Sequence, residues 1–292
     1  MDGATQTDRV KSAGRVLDLI EILAEHAEGL SFTALLQVTG FPKSSLHALL
    51  TVLANRRYVQ FDETTRLYSL GVRVWQNGQS YLKGRDIVRE ARPVMDQIAA
   101  ALNETVQLAR LDGTENVYLA KVDSTHPLRL QSEVGVRLSA HATGLGKALL
   151  ASLPDDEVRR RIGPKPLARM TQNTITSVGA LIKELGRIRT SGFAIDNEEY
   201  TPGLFCLAVP IHDHAGATVA ALSMSVPLMR LSPDILAEGL ALLCKGSIEI
   251  TKRLGGQGGA PKLETLRHVP AARQALIERG VSGMTQGRRK SA

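Results

Sequence analysis

Residues 31–70 carry the pattern that most restricts the fold of this chain, namely two short amphipathic helices followed by a strand hairpin. Ser31 has the side chain of a helix N-cap, and Gly40 can end that helix in the left-handed conformation that other residues avoid. Pro42 suits the first turn of a second helix, whose apolar stripe consists of Leu46, Leu49, Leu50 and Leu53. This order predicts a helix-turn-helix, a unit that binds DNA, and the alternative is a helical hairpin inside some other core.

Two strand-like stretches complete this unit as a hairpin wing. They are Tyr58–Phe61 and Arg66–Leu70, and a polar turn at residues 62–65 separates them. The face of the second helix opposite the leucines carries small or polar groups that fit a major groove, whereas the arginines near the wing suit phosphate. The candidate DNA-contacting residues are Lys43, Ser44, Ser45, His47, Thr51, Arg56, Arg57 and Arg66.

Length and composition indicate the broad class of protein. At 292 residues the chain is long enough for two domains, and an apolar content of 43% supplies a core for both. No apolar run reaches the ~18 residues of a membrane helix, and the N-terminus lacks the apolar segment of a signal peptide. The two cysteines, Cys206 and Cys244, are too few for a disulfide framework or a zinc finger. These features predict a soluble cytoplasmic protein without a membrane partner.

The net charge of +7 indicates an anionic partner, but the charge is unevenly distributed. Residues 255–292 hold seven basic and two acidic residues, which is most of the excess. Residues 31–80 hold five basic and two acidic residues. Net charge is therefore weaker support for the helix-turn-helix than its pattern is.

The chain divides into five predicted segments. Residues 1–9 are expected to be a disordered arm, and residues 10–71 form the winged helix-turn-helix. Residues 72–85 are predicted to be a linker helix, whose aromatic Trp75 and Tyr81 either make a dimer contact or dock on their own chain. Two further segments follow: an α/β domain at 86–254 and a basic, largely disordered tail at 255–292 with one weak helical stretch at 263–279.

The α/β domain is predicted to contain an antiparallel sheet of five or six strands covered by helices, which makes the whole chain α+β. Alternation and turn residues indicate strands at 104–111, 115–122, 128–133, 193–198, 203–211 and 217–226. Apolar spacing and caps indicate helices at 143–152, 155–162, 177–190 and 233–254.

Three segments resemble the IclR family of bacterial transcription regulators. They are GFPKSSLHALLTVLANRRYV in the helix-turn-helix, GVRLSAHATGLGKALLA at 135–151, and DNEEYTPGLFCLAVPI at 196–211 with ALSMSVP shortly after it. The likeness covers residues 10–254. Two positions depart from the family pattern: Ala48 stands where arginine is frequent, and Arg57 stands where glycine is usual before the wing. The operator sequence therefore cannot be taken over from relatives.

The resemblance implies that the second domain is GAF-like and binds a small organic acid as effector. The residues that match the family's ligand shell are Gly144, Leu145, Asp196, Leu204, Cys206, Ser223 and Ser225. The residue pattern is compatible, since Ser223 and Ser225 alternate on one strand face and backbone N–H groups at the start of the 143–152 helix could hold a carboxylate. The alternatives are ordinary strand hydroxyls and, for Asp196, a solvated acidic loop.

Two other kinds of chemistry deserve consideration. Cys206 with His141 could form a nucleophile–base pair, but a buried cysteine is more often a small apolar residue. His212, Asp213 and His214 could bind a metal, but they lie at an expected hairpin turn. We therefore predict no enzyme activity and no cofactor. We assign no metal ligands, and whether a metal binds the effector domain stays open.

The combined prediction is a ligand-responsive transcription regulator, more often a repressor than an activator. A single winged unit reads only a few base pairs, so we expect a dimer or tetramer on a palindromic operator in double-stranded DNA. The alternatives are an architectural DNA binder that uses its basic tail and a GAF-type small-molecule enzyme with a DNA-binding module.

Overall fold

The structure is a computed structural model that describes residues 11–83, 87–127, 133–256 and 261–281; side chains at 79–83 are not described. The chain forms two compact units, Met1–Asp86 and Ile87–Ala292. The predicted arm at 1–9 lies outside the described residues, as do the side chain of Tyr81 and the last eleven positions of the chain.

The described residues of the first unit form four helices and a three-stranded antiparallel sheet in the order β1-β3-β2. Its core is a cluster of leucines from α1, α2 and α3 that is closed by Val59 of the wing. The elements are α1 (Lys11–Ala24), β1 (Leu30–Ser31), α2 (Phe32–Thr39), α3 (Lys43–Asn55), β2 (Val59–Asp62), β3 (Leu67–Leu70) and α4 (Val72–Lys83).

Local signals place the ends of α2 where the sequence predicts them. Ser31 Oγ accepts the backbone N–H of Ala34 at 3.2 Å, and Gly40 ends the helix with φ +64°. Leu46, Leu50 and Leu53 of α3 are buried in the core that α3 forms with α1 and α2. The winged helix-turn-helix is therefore confirmed in its elements and their order.

The second unit is built on a six-stranded antiparallel sheet in the order β6-β5-β4-β9-β8-β7. Its strands are β4 (Thr105–Asp112), β5 (Glu115–Val122), β6 (Arg137–Ser139), β7 (Ala194–Asn197), β8 (Leu204–His212) and β9 (Thr218–Pro227). The strand expected at 128–133 lies mostly outside the described residues. The edge strand β6 is not expected from the sequence. Because β6 has only three residues, it offers too little alternation to be found from sequence.

Helices cover both faces of this sheet. One face packs against α5 (Ile87–Leu102) and α9 (Pro233–Arg253). The other packs against α6 (Gly144–Leu150), α7 (Asp155–Ile162) and α8 (Val178–Ser191). Strand side chains alternate between the two cores. In β9, for example, Leu222 and Met224 join the α5/α9 core, whereas Ser223 and Ser225 face the α6 side.

The weak helical stretch expected at 263–279 is present as two helices, whereas the expectation that the tail is largely disordered is wrong for residues 261–281. Two helices, α10 (Pro261–Leu266) and α11 (Val269–Glu278), pack against α9 and extend its core. Basic side chains of this segment also form ion pairs with the body of the unit, Arg273 with Asp234 and Arg279 with Glu184. The reason is helical spacing of apolar residues, which the Gly- and Arg-rich composition of the whole tail concealed; the buried residues are Leu263, Leu266, Ala272 and Leu276.

In the described part of the chain, no helix is both long enough and apolar enough to cross a membrane.

Candidate functional site

The polar face of α3 is open in the first unit. Lys43, Ser44, His47 and Thr51 are exposed on it. Lys43, Ser44 and His47 also line a cleft of about 960 Å³ between the start of α2, the start of α3 and the wing. The His47 ring meets the edge of Phe32 with 6.4 Å between ring centroids, which orients the imidazole in that cleft.

Two of the predicted contact residues make internal hydrogen bonds instead of being fully available. Ser45 is half-buried, and its Oγ accepts a hydrogen bond from Arg15 Nη1 at 3.1 Å. The Arg15 guanidinium also lies 5.0 Å from the centroid of the Phe41 ring, so Ser45 ties α3 to α1. Thr51 Oγ1 donates to the carbonyl oxygen of His47 at 2.8 Å, although the residue stays exposed.

The three predicted arginines surround the wing and are exposed. Arg57 adopts φ +61°, the left-handed conformation that glycine takes without strain, and this explains why a glycine is expected at that position. Arg66 also has positive φ, +60°, and it pairs with Glu63 at 3.2 Å while its guanidinium lies 5.1 Å from the Phe61 ring centroid. Arg66 lines the same cleft as Lys43, so the wing and α3 present their cations together.

A cavity of about 900 Å³ opens on the α6 face of the sheet in the second unit. All the residues that the resemblance suggested line it, namely Gly144, Leu145, Asp196, Leu204, Cys206, Ser223 and Ser225. The sheet register explains this convergence, because Asp196 pairs with Cys206 and Cys206 pairs with Ser225 across three neighbouring strands. A single row of polar side chains thus crosses β7, β8 and β9 within an otherwise apolar face.

Residues that the sequence did not single out support or complete this wall. Gln107 of β4 lies behind it, pairs with Ser223 and is fully buried, and its Oε1 accepts hydrogen bonds from Ser223 Oγ at 3.0 Å and Ser225 Oγ at 3.1 Å. The residues that complete the lining include Tyr118, Lys121, Thr143 and Tyr200. Lys121, the one cation among the described lining residues, lies 2.8 Å from Asp123.

Asp196 is buried at the acidic end of the cavity. Its Oδ1 accepts the backbone N–H of Glu199 at 2.7 Å, and the N–H groups of Tyr200 and Gly144 also bond to the carboxylate. Burial outweighs these bonds and raises the pKa of Asp196 to about 6.

A buried ion pair lies behind Asp196. Lys147 of α6 is completely buried, and its Nζ pairs with Oε1 of Glu199 in the loop after β7. Burial raises the pKa of Glu199 to about 7, although Lys147 opposes that shift. Both residues belong to motifs that marked the resemblance, but only the folded chain shows that they meet.

The structure does not assemble the two alternative kinds of chemistry. Cys206 Sγ lies 3.1 Å from Ser225 Oγ, while His141 Nε2 lies 2.9 Å from the carbonyl oxygen of Ala168, so the described chain forms no Cys–His pair. Burial raises the pKa of the Cys206 thiol, which disfavours the thiolate that a nucleophile needs. No group of three or more potential metal ligands occurs among the described residues.

Comparison with known proteins identifies both units. The IclR helix-turn-helix domain matches residues 12–63, and the C-terminal domain of the bacterial transcriptional regulator IclR matches residues 79–251. The chain belongs to the IclR family. Its α10 and α11 helices lie beyond the matched region. The IclR family consists of transcription regulators that bind DNA through the helix-turn-helix, and this is what the first unit contributes.

Several curated and solved IclR-family proteins are similar over most of their length. The transcriptional regulator KdgR of Escherichia coli K12 is 34% identical over 250 residues, covering 86% of this chain and 95% of KdgR. The transcriptional repressor IclR of the same organism is 32% identical over 255 residues, covering 87% of this chain and 93% of the repressor.

Solved structures share the fold. Thermotoga maritima IclR aligns with a TM-score of 0.70 and 27% identity, covering 85% of this chain and 100% of that one. An IclR homologue from Microbacterium hydrocarbonoxydans, solved in complex with 4-hydroxybenzoate, aligns with a TM-score of 0.74 and 23% identity, covering 84% and 99%. The two-unit architecture is therefore the common one of the family.

Proposed function

We propose that this IclR-family chain is a repressor whose affinity for its operator changes when a small organic acid binds in the cavity of the second unit. One observation carries the proposal: the seven residues suggested as a ligand shell, drawn from α6, β7, β8 and β9, converge on a single cavity. Enclosed cavities with a few polar groups in an apolar wall are how small-molecule sites are usually built.

On the DNA side, α3 enters the major groove. Lys43, Ser44 and His47 are the proposed base readers, because they are exposed at the N-terminal end of the helix. Arg56, Arg57 and Arg66 contact phosphate, Thr51 lies at the edge of the interface, and Ser45 acts through Arg15 by fixing the orientation of α3. A homodimer or homotetramer on a palindromic site supplies the specificity that one unit lacks.

On the effector side, known relatives support a small-molecule ligand. The Microbacterium homologue holds 4-hydroxybenzoate, and the Escherichia coli relative is a repressor. Binding controls transcription only if the acid has different affinities for the DNA-bound and DNA-free states. We propose no catalytic role for the cavity, since the Cys206 thiol contacts the Ser225 hydroxyl and its burial disfavours the thiolate that a nucleophile needs.

The first test is fluorescence anisotropy with DNA from upstream of the chain's own gene and with scrambled DNA of equal length, at about 0.15 M salt. A preference of about 10³-fold or more is expected of a specific regulator. Equal binding to both DNAs by the full chain, together with no specific site in a genomic selection, contradicts the proposal.

A shortened chain separates this function from architectural binding through the basic end. The cut belongs after Val281, because α10 and α11 are part of the core and must stay. Removal of residues 282–292 eliminates Arg288, Arg289 and Lys290. A regulator keeps its preferred sequence after the cut, whereas an architectural binder loses affinity and most of its salt dependence.

The effector half is tested with the two cysteines as a matched pair. Cys206 lines the cavity, while Cys244 is buried in the α5/α9 core. With an acid that releases DNA from the native chain, Cys206→Ala is expected to change the releasing concentration about tenfold, and Cys244→Ala is expected to leave it within about twofold. Equal responses of the two variants contradict this location of the effector site.

A further inference from the structure

Three hydroxyl groups of the cavity wall, those of Ser223, Ser225 and Thr143, share one arrangement: each donates its hydrogen to a buried carboxamide behind the wall. Ser223 and Ser225 both donate to Gln107 Oε1, at 3.0 Å and 3.1 Å. Thr143 Oγ1 donates to Asn116 Oδ1 at 2.7 Å. Gln107 and Asn116 are both completely buried, so neither carboxamide is itself part of the cavity surface.

A hydroxyl group has only one hydrogen, so this arrangement decides what the wall can offer to a ligand. With their hydrogens committed, Ser223 and Ser225 face the cavity with lone pairs. The Cys206 thiol continues this chain of hydrogen bonds. Because the Ser225 hydrogen is already used, the thiol must donate its own hydrogen to Ser225 Oγ, which lies 3.1 Å from Cys206 Sγ. Burial raises the pKa of Cys206, so the thiol keeps the hydrogen that it donates.

Asp196 extends the same wall as a further acceptor. It follows Cys206 in the polar row across β7, β8 and β9, and the backbone N–H of Glu199 at 2.7 Å helps to hold its carboxyl group in place. A ligand carboxylate placed against this row would meet oxygen lone pairs. Donors elsewhere in the lining, including the Tyr118 hydroxyl and the Lys121 ammonium, are the groups suited to it.

We infer that Gln107 and Asn116 are positioning residues that set the hydrogen-bond polarity of this cavity, so that its effector is a hydroxylated organic acid that donates to Ser223, Ser225 and Asp196. The inference rests on the proposed effector function of the cavity and narrows its ligand class. An acid with only acceptor groups beyond its carboxylate, such as a keto or methoxy acid, leaves this wall unsatisfied.

The polarity depends on which end of the Gln107 carboxamide faces the serines. Gln107 Nε2 and Asn116 Nδ2 are buried and have no hydrogen-bond partner in the described chain. In the opposite orientation the nitrogen would donate to both serines, and their hydrogens would turn toward the cavity. That orientation predicts a preference for acceptor-only acids, so ligand binding distinguishes the two.

The test is isothermal titration calorimetry of the full chain with two matched pairs of acids. The pairs are 4-hydroxybenzoate with 4-methoxybenzoate and gluconate with hexanoate, because the members of each pair share a carboxylate and differ in the hydrogens they can donate. We expect the hydroxylated member of at least one pair to bind at least tenfold more tightly.

Gln107→Leu tests the positioning role itself. This change frees the hydrogens of Ser223 and Ser225, so the preference for the hydroxylated acid is expected to fall about tenfold or to reverse. Gln172→Leu, an exposed position in the same unit, is the matched control and should keep the preference. If Gln107→Leu does not fold, Ser223→Ala serves instead: it should weaken binding of the hydroxylated acid and leave the methoxy acid unchanged.

Three results overturn the inference. The first is that, in both pairs, the native chain binds the acid without hydroxyl groups as tightly as its hydroxylated partner or more tightly. The second is an unchanged preference in folded Gln107→Leu or Ser223→Ala. The third is no binding of any of the four acids, which contradicts the organic-acid function itself; the first two results leave that function standing, because some acid still binds.

Discussion

The buried corner behind the cavity places two carboxyl groups beside one ammonium group. Asp196 and Glu199 are both buried, and Lys147 is the cation that lowers the pKa of each. Burial dominates and raises both pKa values, to about 6 and about 7. Removing charge from water is costly unless the group is paired, so this corner favours retaining a proton that a solvated carboxylate would release.

The free energy of unfolding should therefore depend on pH through Asp196. Its pKa rises from 3.8 to about 6 on folding, so between these pH values the folded chain holds a proton that the unfolded chain has released. The contribution of Asp196 to the free energy of unfolding is fully present below about pH 4 and falls, by up to about 3 kcal/mol, as pH rises to 6. Glu199 extends the fall toward pH 7.

Asp196→Asn should flatten that pH dependence. The measurement is urea denaturation of the full chain at several pH values, monitored by circular dichroism. Trp75, the single tryptophan of the chain, reports the first unit by fluorescence and is the internal control. A native-like slope in Asp196→Asn would show that another group titrates.

At the scale of elements, the turn between α3 and β2 contains a charged residue in a strained backbone conformation. Arg57 is exposed and left-handed at φ +61°, and its carbonyl oxygen accepts the N–H of Arg73 at 3.0 Å. A non-glycine residue in this conformation costs about 1 kcal/mol. A contact between Arg57 and DNA phosphate would explain why a non-glycine residue occupies this position despite the cost.

Arg57→Gly should separate the two effects. Relief of strain keeps the free energy of unfolding within about 1 kcal/mol of the native value, while DNA affinity falls and the slope of log affinity against log salt decreases by about 1. Operator titrations at several salt concentrations measure both quantities. An unchanged slope means that Arg57 contacts no phosphate.

The C-terminal helices α10 and α11 pack on the core of the second unit, although the composition of the tail favours disorder. Leu276 and Ile277 are neighbours on α11, yet Leu276 is completely buried and Ile277 is 36% exposed. Leu276→Ala should lower the free energy of unfolding by about 2–5 kcal/mol, because the cavity it leaves cannot fully close. Ile277→Ala should cost about 1 kcal/mol or less, and chemical denaturation of both variants checks the contrast. Similar losses would mean that α11 is not docked as described.

Sequence reasoning recovered what local signals encode. The caps at Ser31 and Gly40 located α2, and the alternation around Ser223 and Ser225 found the polar row of β9. It could not find the pair of Lys147 and Glu199, because these residues are 52 positions apart and meet only through tertiary packing. It also missed Gln107 for the same reason: nothing in β4 marks a partner on β9.

At the scale of the whole molecule, the exposed face of α4 is the feature that a single chain does not explain. Trp75 is 65% exposed and Val72 is 53% exposed. Such apolar groups on a helix surface suit contact with a second copy, which a palindromic operator also requires. We therefore predict that Trp75 contributes to the self-association of the chain.

Trp75→Arg should weaken self-association about tenfold or more in sedimentation velocity experiments across protein concentrations. Leu17→Arg on α1, which is 59% exposed, is the matched control and should leave the association unchanged. A native chain that remains monomeric at the concentrations where it binds operator would contradict this role of Trp75.

The two-residue period of β8 and β9 has an evolutionary consequence. Cys206, Ser223 and Ser225 touch the cavity, while the positions between them belong to the opposite core. A lineage can therefore exchange the ligand it senses by changes at every second position, without repacking the layer that keeps the domain folded. Along β8 and β9, one set of alternate positions can change the ligand that is sensed, and the other set maintains the packing of the domain.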